Sequence, residues 1–73
     1  AQMEEFMFLG LRLRKGVSAE AFRERFGISL EEAYGQVIER YCRMGLMGEE
    51  EGRVFLTLDG ISVSNRILSD FLL

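Results

Sequence analysis

Residues 46–60 read Leu46-Met47-Gly48-Glu49-Glu50-Glu51-Gly52-Arg53-Val54-Phe55-Leu56-Thr57-Leu58-Asp59-Gly60. The turn Glu50-Glu51-Gly52 separates Met47 and its neighbours from Arg53 to Leu56, and that spacing predicts an antiparallel hairpin. The β-branched and aromatic pair Val54-Phe55 favours a strand. Thr57 is placed to cap a following helix, with Asp59 near the positive end of its dipole. The hairpin tip carries carboxylates at Glu49, Glu50 and Glu51 instead of cations.

Three helices are expected before the hairpin. The first covers Met3 to about Leu13, with Phe6, Leu9 and Leu13 at i, i+3 and i+7 and Met3 and Met7 beside them. Arg12, Arg14 and Lys15 suit its negative end, and Gly16 supplies a left-handed closing residue. The second is short, capped by Ser18 and ended by Gly27, with Phe22 and Phe26 facing one way. Ser29-Leu30-Glu31-Glu32 is a capping box that opens the third. Leu30, Ala33, Tyr34, Val37, Ile38 and Tyr41 trace its apolar stripe, and Glu31, Glu32, Gln36, Glu39, Arg40 and Arg43 hold the opposite face. Glu39 and Arg43 stand at i,i+4, a favourable pair. Gly35 lowers helix propensity by about 1 kcal/mol relative to Ala, the mark of a close contact. Gly45 closes this helix. After the hairpin, Ile61, Ser64, Ile67, Leu68 and Phe71 form the buried stripe of a last helix.

That order is mainly α with a small β-hairpin, and it is the order of a winged helix. The second and third helices form the helix-turn-helix pair about Gly27-Ile28, and the hairpin forms the wing. A plain helical bundle is the alternative, because a lone hairpin is marginal until it packs on helices. One winged-helix-like domain spanning residues 1–73 is expected. A start that lacks an initiator methionine and enters a helix at once reads as a domain excised from a longer protein.

At 73 residues the chain buries only a modest share of its surface, but 48% apolar content suffices for a core. The net charge of −3 weighs against nucleic acid, whose binders need a cationic surface to displace counterions. With no histidine and one cysteine, Cys42, neither an internal disulfide nor a zinc or iron–sulfur site can be built. Cys42, Met44 and Met47 lie close in sequence as conceivable soft haem ligands; their ordinary role is apolar filling. No Ser/His or Cys/His nucleophile pair exists. The acidic runs Glu4-Glu5, Glu31-Glu32 and Glu49 to Glu51 read as solvated helix starts and a turn tip. No apolar run approaches the roughly 20 residues that span a bilayer, and Glu4 and Glu5 after Met3 do not read as a secretory leader.

A recognition helix sets its N-terminal residues against base edges. Here those positions hold Glu31, Glu32 and Gln36, the wing adds three carboxylates, and Arg40 and Arg43 lie too far along to compensate. The DNA-binding winged helix of a transcription regulator is therefore the alternative function, and nucleic acid is not the expected partner. Arg12 lies in Leu9-Gly10-Leu11-Arg12-Leu13, where Gly10 lets a backbone or a flat ligand come close. Its guanidinium can hold a carboxylate through two hydrogen bonds. The competing role is a structural ion pair with Glu5 or with Asp59.

Glu5, Leu9-Gly10-Leu11-Arg12-Leu13, Gly16-Val17, Phe22, Phe26-Gly27, Gly45-Leu46, Leu56-Thr57, Gly60, Asn65 and Phe71 occur in this order. In them the chain resembles, over nearly its whole length, the C-terminal domain of oxygen-independent coproporphyrinogen III oxidase and its haem-chaperone-like relatives. The resemblance implies a radical S-adenosylmethionine family whose N-terminal barrel holds a [4Fe–4S] cluster through Cys-x-x-x-Cys-x-Cys, a motif that Cys42 alone cannot supply. The oxidase branch decarboxylates two propionates oxidatively in cytoplasmic haem synthesis; the chaperone branch binds haem. For this stretch the resemblance implies no cofactor and no catalysis. It implies an accessory domain that packs on the barrel and helps cover a porphyrin-type substrate or haem. By matched position, Glu5, Gly10, Arg12 and Asn65 are the implied domain or substrate contacts. Met3, Phe6, Met7 and Phe8 put apolar groups on more than one side of the first helix, so part of that set is expected to be exposed. An interaction module of unrelated origin is the third possibility.

Overall fold

Ser18, Ser29 and Thr57 each begin a helix, as their sequence positions predict. The Ser18 hydroxyl accepts from the Ala21 amide at 3.1 Å, Ser29 from Glu32 at 3.0 Å and Thr57 from Gly60 at 3.1 Å. Each bond satisfies a helix-start amide that has no partner inside the helix. The computed structural model describes residues 2–72. The elements are α1 (Gln2–Leu11), β1 (Val17–Ser18), α2 (Ala19–Phe26), α3 (Leu30–Arg43), β2 (Met47–Glu50), β3 (Arg53–Leu56), α4 (Leu58–Ser62) and α5 (Ser64–Ser69). The chain is mainly helical, with a three-stranded antiparallel sheet in the order β1-β3-β2.

The expected hairpin is present. Met47 pairs with Leu56 and Glu50 with Arg53 across the two-residue loop Glu51-Gly52. Both loop residues have positive φ, 51° and 75°, the sense that matches the right-handed twist of the flanking strands. Met47, Val54 and Leu56 turn inward onto the helices and are buried.

Four sequence expectations are corrected. First, α1 stops at Leu11, short of Leu13, and the chain turns through bonds from the Leu13 amide to the Gly10 carbonyl and from Gly16 to Leu13. Second, Gly16 does not close α1. At φ 73° it lies so near β3 that a Cβ would come 2.1 Å from the Val54 carbonyl oxygen. That contact seats Val17 opposite Val54 and makes β1, a strand too short to show any periodicity in sequence.

Third, α1 turns Met7 and Leu11 to the core, while Leu9 and Leu13 are exposed. The expectation that part of the set Met3, Phe6, Met7 and Phe8 stays accessible holds: Met7 is fully buried, and Met3, Phe6 and Phe8 are half-buried against the core. Fourth, the last helix is two. Val63 leaves helical geometry at φ −119° and ψ 27°, in a Ser62-Val63-Ser64 stretch of poor helix propensity. Gly60 takes the buried position of α4, and Ile61 points to solvent instead of completing the stripe.

Aromatic rings link the helices. Phe6 of α1 meets Phe22 and Phe26 of α2 edge-on, with centroids 5.7 and 5.5 Å apart. Phe22 continues to Tyr34 of α3 at 6.2 Å, and Tyr34 to Phe71 at 5.0 Å. Such pairs add about 0.5–1.5 kcal/mol each beyond area burial. Phe71 is fully buried and fastens the segment after α5 to α3.

Candidate docking surface

The turn at Gly27, whose amide bonds the Arg23 carbonyl at 2.8 Å, sets α2 against the start of α3. Glu31, Glu32 and Gln36 are exposed at that start. An open groove of about 710 Å³ runs between α2, α3 and the sheet. Leu30, Ile38 and Val54 lie along it, and Glu20, Glu31, Glu39 and Glu49 bring four carboxylates against one guanidinium, Arg23. Glu49 reaches the groove because its ladder partner is the inward-facing Val54.

The two arginines of α3 are each held by a carboxylate. Arg40 binds the Asp70 carboxylate at 2.8 Å and Arg43 binds Glu39 at 2.6 Å. Asp70 also accepts a hydrogen bond from the Tyr41 hydroxyl. That bond, then burial, then the Asp70 charge raise the Tyr41 pKa, and Arg40 opposes them. The groove between α2, α3 and the sheet thus carries more carboxylates than guanidiniums.

Cys42, Met44 and Met47 do not converge. Cys42 is half-buried, Met44 is exposed and Met47 lies in the core. Burial, and secondarily Glu49, push the Cys42 thiol up, which disfavours the thiolate. Among the described residues no cluster of three or more His, Cys, Asp or Glu could hold a metal ion, so the donor set does not fit an iron–sulfur cluster.

The sequence-derived contacts are dispersed along the chain. Glu5 is exposed on α1, Arg12 in the turn after it, and Asn65 in the first turn of α5. The close neighbour of Gly10 is Val17: a Cβ on Gly10 would lie 2.6 Å from Val17 Cγ2. Among the described residues the ion pairs are Arg40–Asp70 and Arg43–Glu39, and Arg12 takes part in neither. The pairing of Arg12 with Glu5 or with Asp59 is thus not formed.

Periodicity missed two features. The Arg40–Asp70–Tyr41 group joins α3 to the end of α5 across about thirty residues of chain, and no local pattern signals it. The other is the outward apolar side of α4, where Leu58 and Ile61 are exposed; their i,i+3 spacing was the available clue. No helix among the described residues is long and apolar enough to cross a membrane.

Comparison with known proteins gives a consistent relationship. Residues 1–63 match the family model described as the HemN C-terminal domain. The chain is 37% identical over 73 residues to the "Heme chaperone HemW" of Lactococcus lactis subsp. lactis (strain IL1403), a match that covers 100% of this chain and 19% of that protein. It is 39% identical over 71 residues to the "Heme chaperone HemW" of Bacillus subtilis (strain 168), covering 97% of this chain and 19% of that protein. The chain therefore spans about a fifth of the length of these relatives. No solved structure matches it. By its family match and by these relatives, the chain belongs to the HemN C-terminal domain family.

Proposed function

We propose that this chain is a single, non-catalytic C-terminal accessory domain of a HemN- or HemW-like protein of the cytoplasm, built as a winged helix whose helix-turn-helix face does not serve nucleic acid. The order helix, strand, helix, helix and hairpin, with β3 in the middle of the sheet, supports the winged-helix assignment. The observation that carries the reading is the commitment of Arg40 to Asp70 and of Arg43 to Glu39, beside a groove that also holds Glu20, Glu31 and Glu49. A surface of that sign gains nothing from counterion release.

In this proposal the radical chemistry lies upstream, in a barrel that binds the [4Fe–4S] cluster and S-adenosylmethionine. Cys42 does not fit a cluster motif, so no catalytic step is assigned to this stretch. The domain packs on the barrel and helps cover porphyrin or haem. Arg12, with Glu5 and Asn65, supplies contacts on that side. Gly10 acts at one remove, by admitting Val17 and thereby setting the turn that carries Arg12.

Titration of the chain against duplex DNA at low and rising salt tests the choice between accessory domain and regulator. The expected result is no appreciable binding at low salt. Tight binding that weakens steeply with salt would overturn the proposal in favour of a DNA-binding regulator. The role of Arg12 is checked by grafting this chain onto the upstream part of the Bacillus subtilis relative and titrating haem. Arg12→Ala is expected to weaken haem binding about tenfold, a loss near 1.4 kcal/mol. Unchanged affinity removes Arg12 from the contact set.

A further inference from the structure

α4 is amphipathic the wrong way round for an isolated domain. Its inward position is occupied by Gly60, which has no side chain to bury, while Leu58 is 85% and Ile61 55% exposed. The two lie at i and i+3 and therefore share a side of the helix. Val63 follows at 41% exposure and lines an open groove of about 490 Å³ together with Met44, Leu46 and Ile67. Arg40, Arg66 and Asp70 stand on the same groove. An apolar centre with charged groups around it has the anatomy of a protein interface.

Burying the exposed part of a side chain such as Leu58 yields on the order of 25 cal/mol per Å², a gain the isolated domain forgoes. The cations nearest this side are Arg40, held by Asp70, and Arg66, whereas Leu9 and Leu13 are interleaved in sequence with Arg12, Arg14 and Lys15.

We propose that the outward side of α4, which carries the exposed Leu58 and Ile61, is the surface by which this domain docks on the upstream part of the same polypeptide. The assignment rests on the accessory-domain reading above. Two observations select that occupant. In both relatives the matched region is 19% of the protein, so about four-fifths of the polypeptide is covalently tethered to it, at an effective concentration that reaches about millimolar for a short linker. A second copy is the weaker candidate, since a stable dimer buries roughly 800 Å² on each partner, more than a few side chains on one short helix supply.

The test titrates the fluorescently labelled chain with the upstream part of the Bacillus subtilis relative, purified without its matched region. The unmodified chain is expected to bind. The double variant L58E/I61E is expected to lose at least tenfold in affinity while its circular dichroism and melting temperature stay as before, because both side chains are exposed. Ile28→Glu, at an exposed apolar residue in the turn between α2 and α3, is expected to bind like the unmodified chain.

If L58E/I61E binds as tightly as the unmodified chain, the α4 assignment is overturned and the accessory reading survives. If the unmodified chain fails to bind at all, the accessory reading falls and takes the α4 assignment with it. If the chain ignores the upstream part but dimerises, and L58E/I61E abolishes the dimer, the occupant is a second copy and the proposal is overturned.

Discussion

Gly60 of α4 rests on the carbonyl oxygen of Leu46, so closely that a Cβ on Gly60 would lie 1.9 Å from it. The same oxygen accepts from the Thr57 amide at 3.0 Å, and the Thr57 hydroxyl donates to the Gly45 carbonyl at 2.7 Å. The Leu56-Thr57-Leu58-Asp59-Gly60 element is thereby a fastener. Leu56 enters the core, Thr57 ties the end of α3 to the start of α4, and Gly60 permits the approach.

Gly60→Ala is accordingly expected to cost about 3 kcal/mol, since backbone atoms on both sides must move. Urea unfolding monitored by circular dichroism measures it. A cost below about 0.5 kcal/mol would mean that the two segments separate without consequence.

The two α3 tyrosines are expected to respond in opposite ways to loss of the hydroxyl. Tyr41→Phe removes a bond to the Asp70 carboxylate and is expected to destabilise by about 1 kcal/mol, lowering the melting temperature by roughly 4–8 °C in a domain of this size. Tyr34 has a buried hydroxyl with no hydrogen-bond partner among the described residues. Tyr34→Phe removes that unsatisfied group and is expected to leave the melting temperature unchanged or raise it. Equal losses in the two variants would contradict the assignment.

Alkaline pH is expected to unfold the domain. Tyr41 is raised mainly by its bond to Asp70, Tyr34 by burial and then by Glu4, and Cys42 by burial and then by Glu49. In each case the folded state favours the protonated form. The stabilisation is complete below the unfolded values, about 8.5 for cysteine and about 10 for tyrosine. It is lost as pH rises through the higher folded values. Stability measured by urea at successive pH should be steady with respect to these groups near neutrality and fall from about pH 9 upward. A rise over that window would reverse the sign.

Cys42 should be a slow thiol for the same reason. Its modification by a disulfide reagent at pH 8 is expected to lag well behind that of the urea-unfolded chain. Comparable rates would place the sulfur in the open.

Much of this architecture was legible in the sequence because its determinants are local. The caps at Ser18, Ser29 and Thr57 and the hairpin about Glu51-Gly52 each depend on a few adjacent residues. What stayed hidden depends on distant ones. Gly16 looked like a helix terminator because only the packed fold reveals the Val54 carbonyl beside it. Ile61 fitted the apolar period of a single long helix, but the break at Val63 and the contact of Gly60 with Leu46 rotate it outward. The acidity of the groove between α2, α3 and the sheet could be read from Glu31 and Glu49. The diversion of Arg40 to Asp70 could not, because the partners are thirty positions apart. For Glu5, Arg12 and Asn65 the family resemblance, not a local physical signal, supplied the candidates.

The sheet has two borders, and the acids at the hairpin tip bear on one of them. β3 is enclosed by neighbours, β1 offers two residues, and β2 leaves its far side without a strand. Along that margin stand Glu49 and Glu50. A strand arriving from another molecule would have to bring its backbone alongside like charge, which discourages the stacking that leads to fibrils. The carboxylates that make this hairpin unsuited to phosphate would then also act as gatekeepers of solubility.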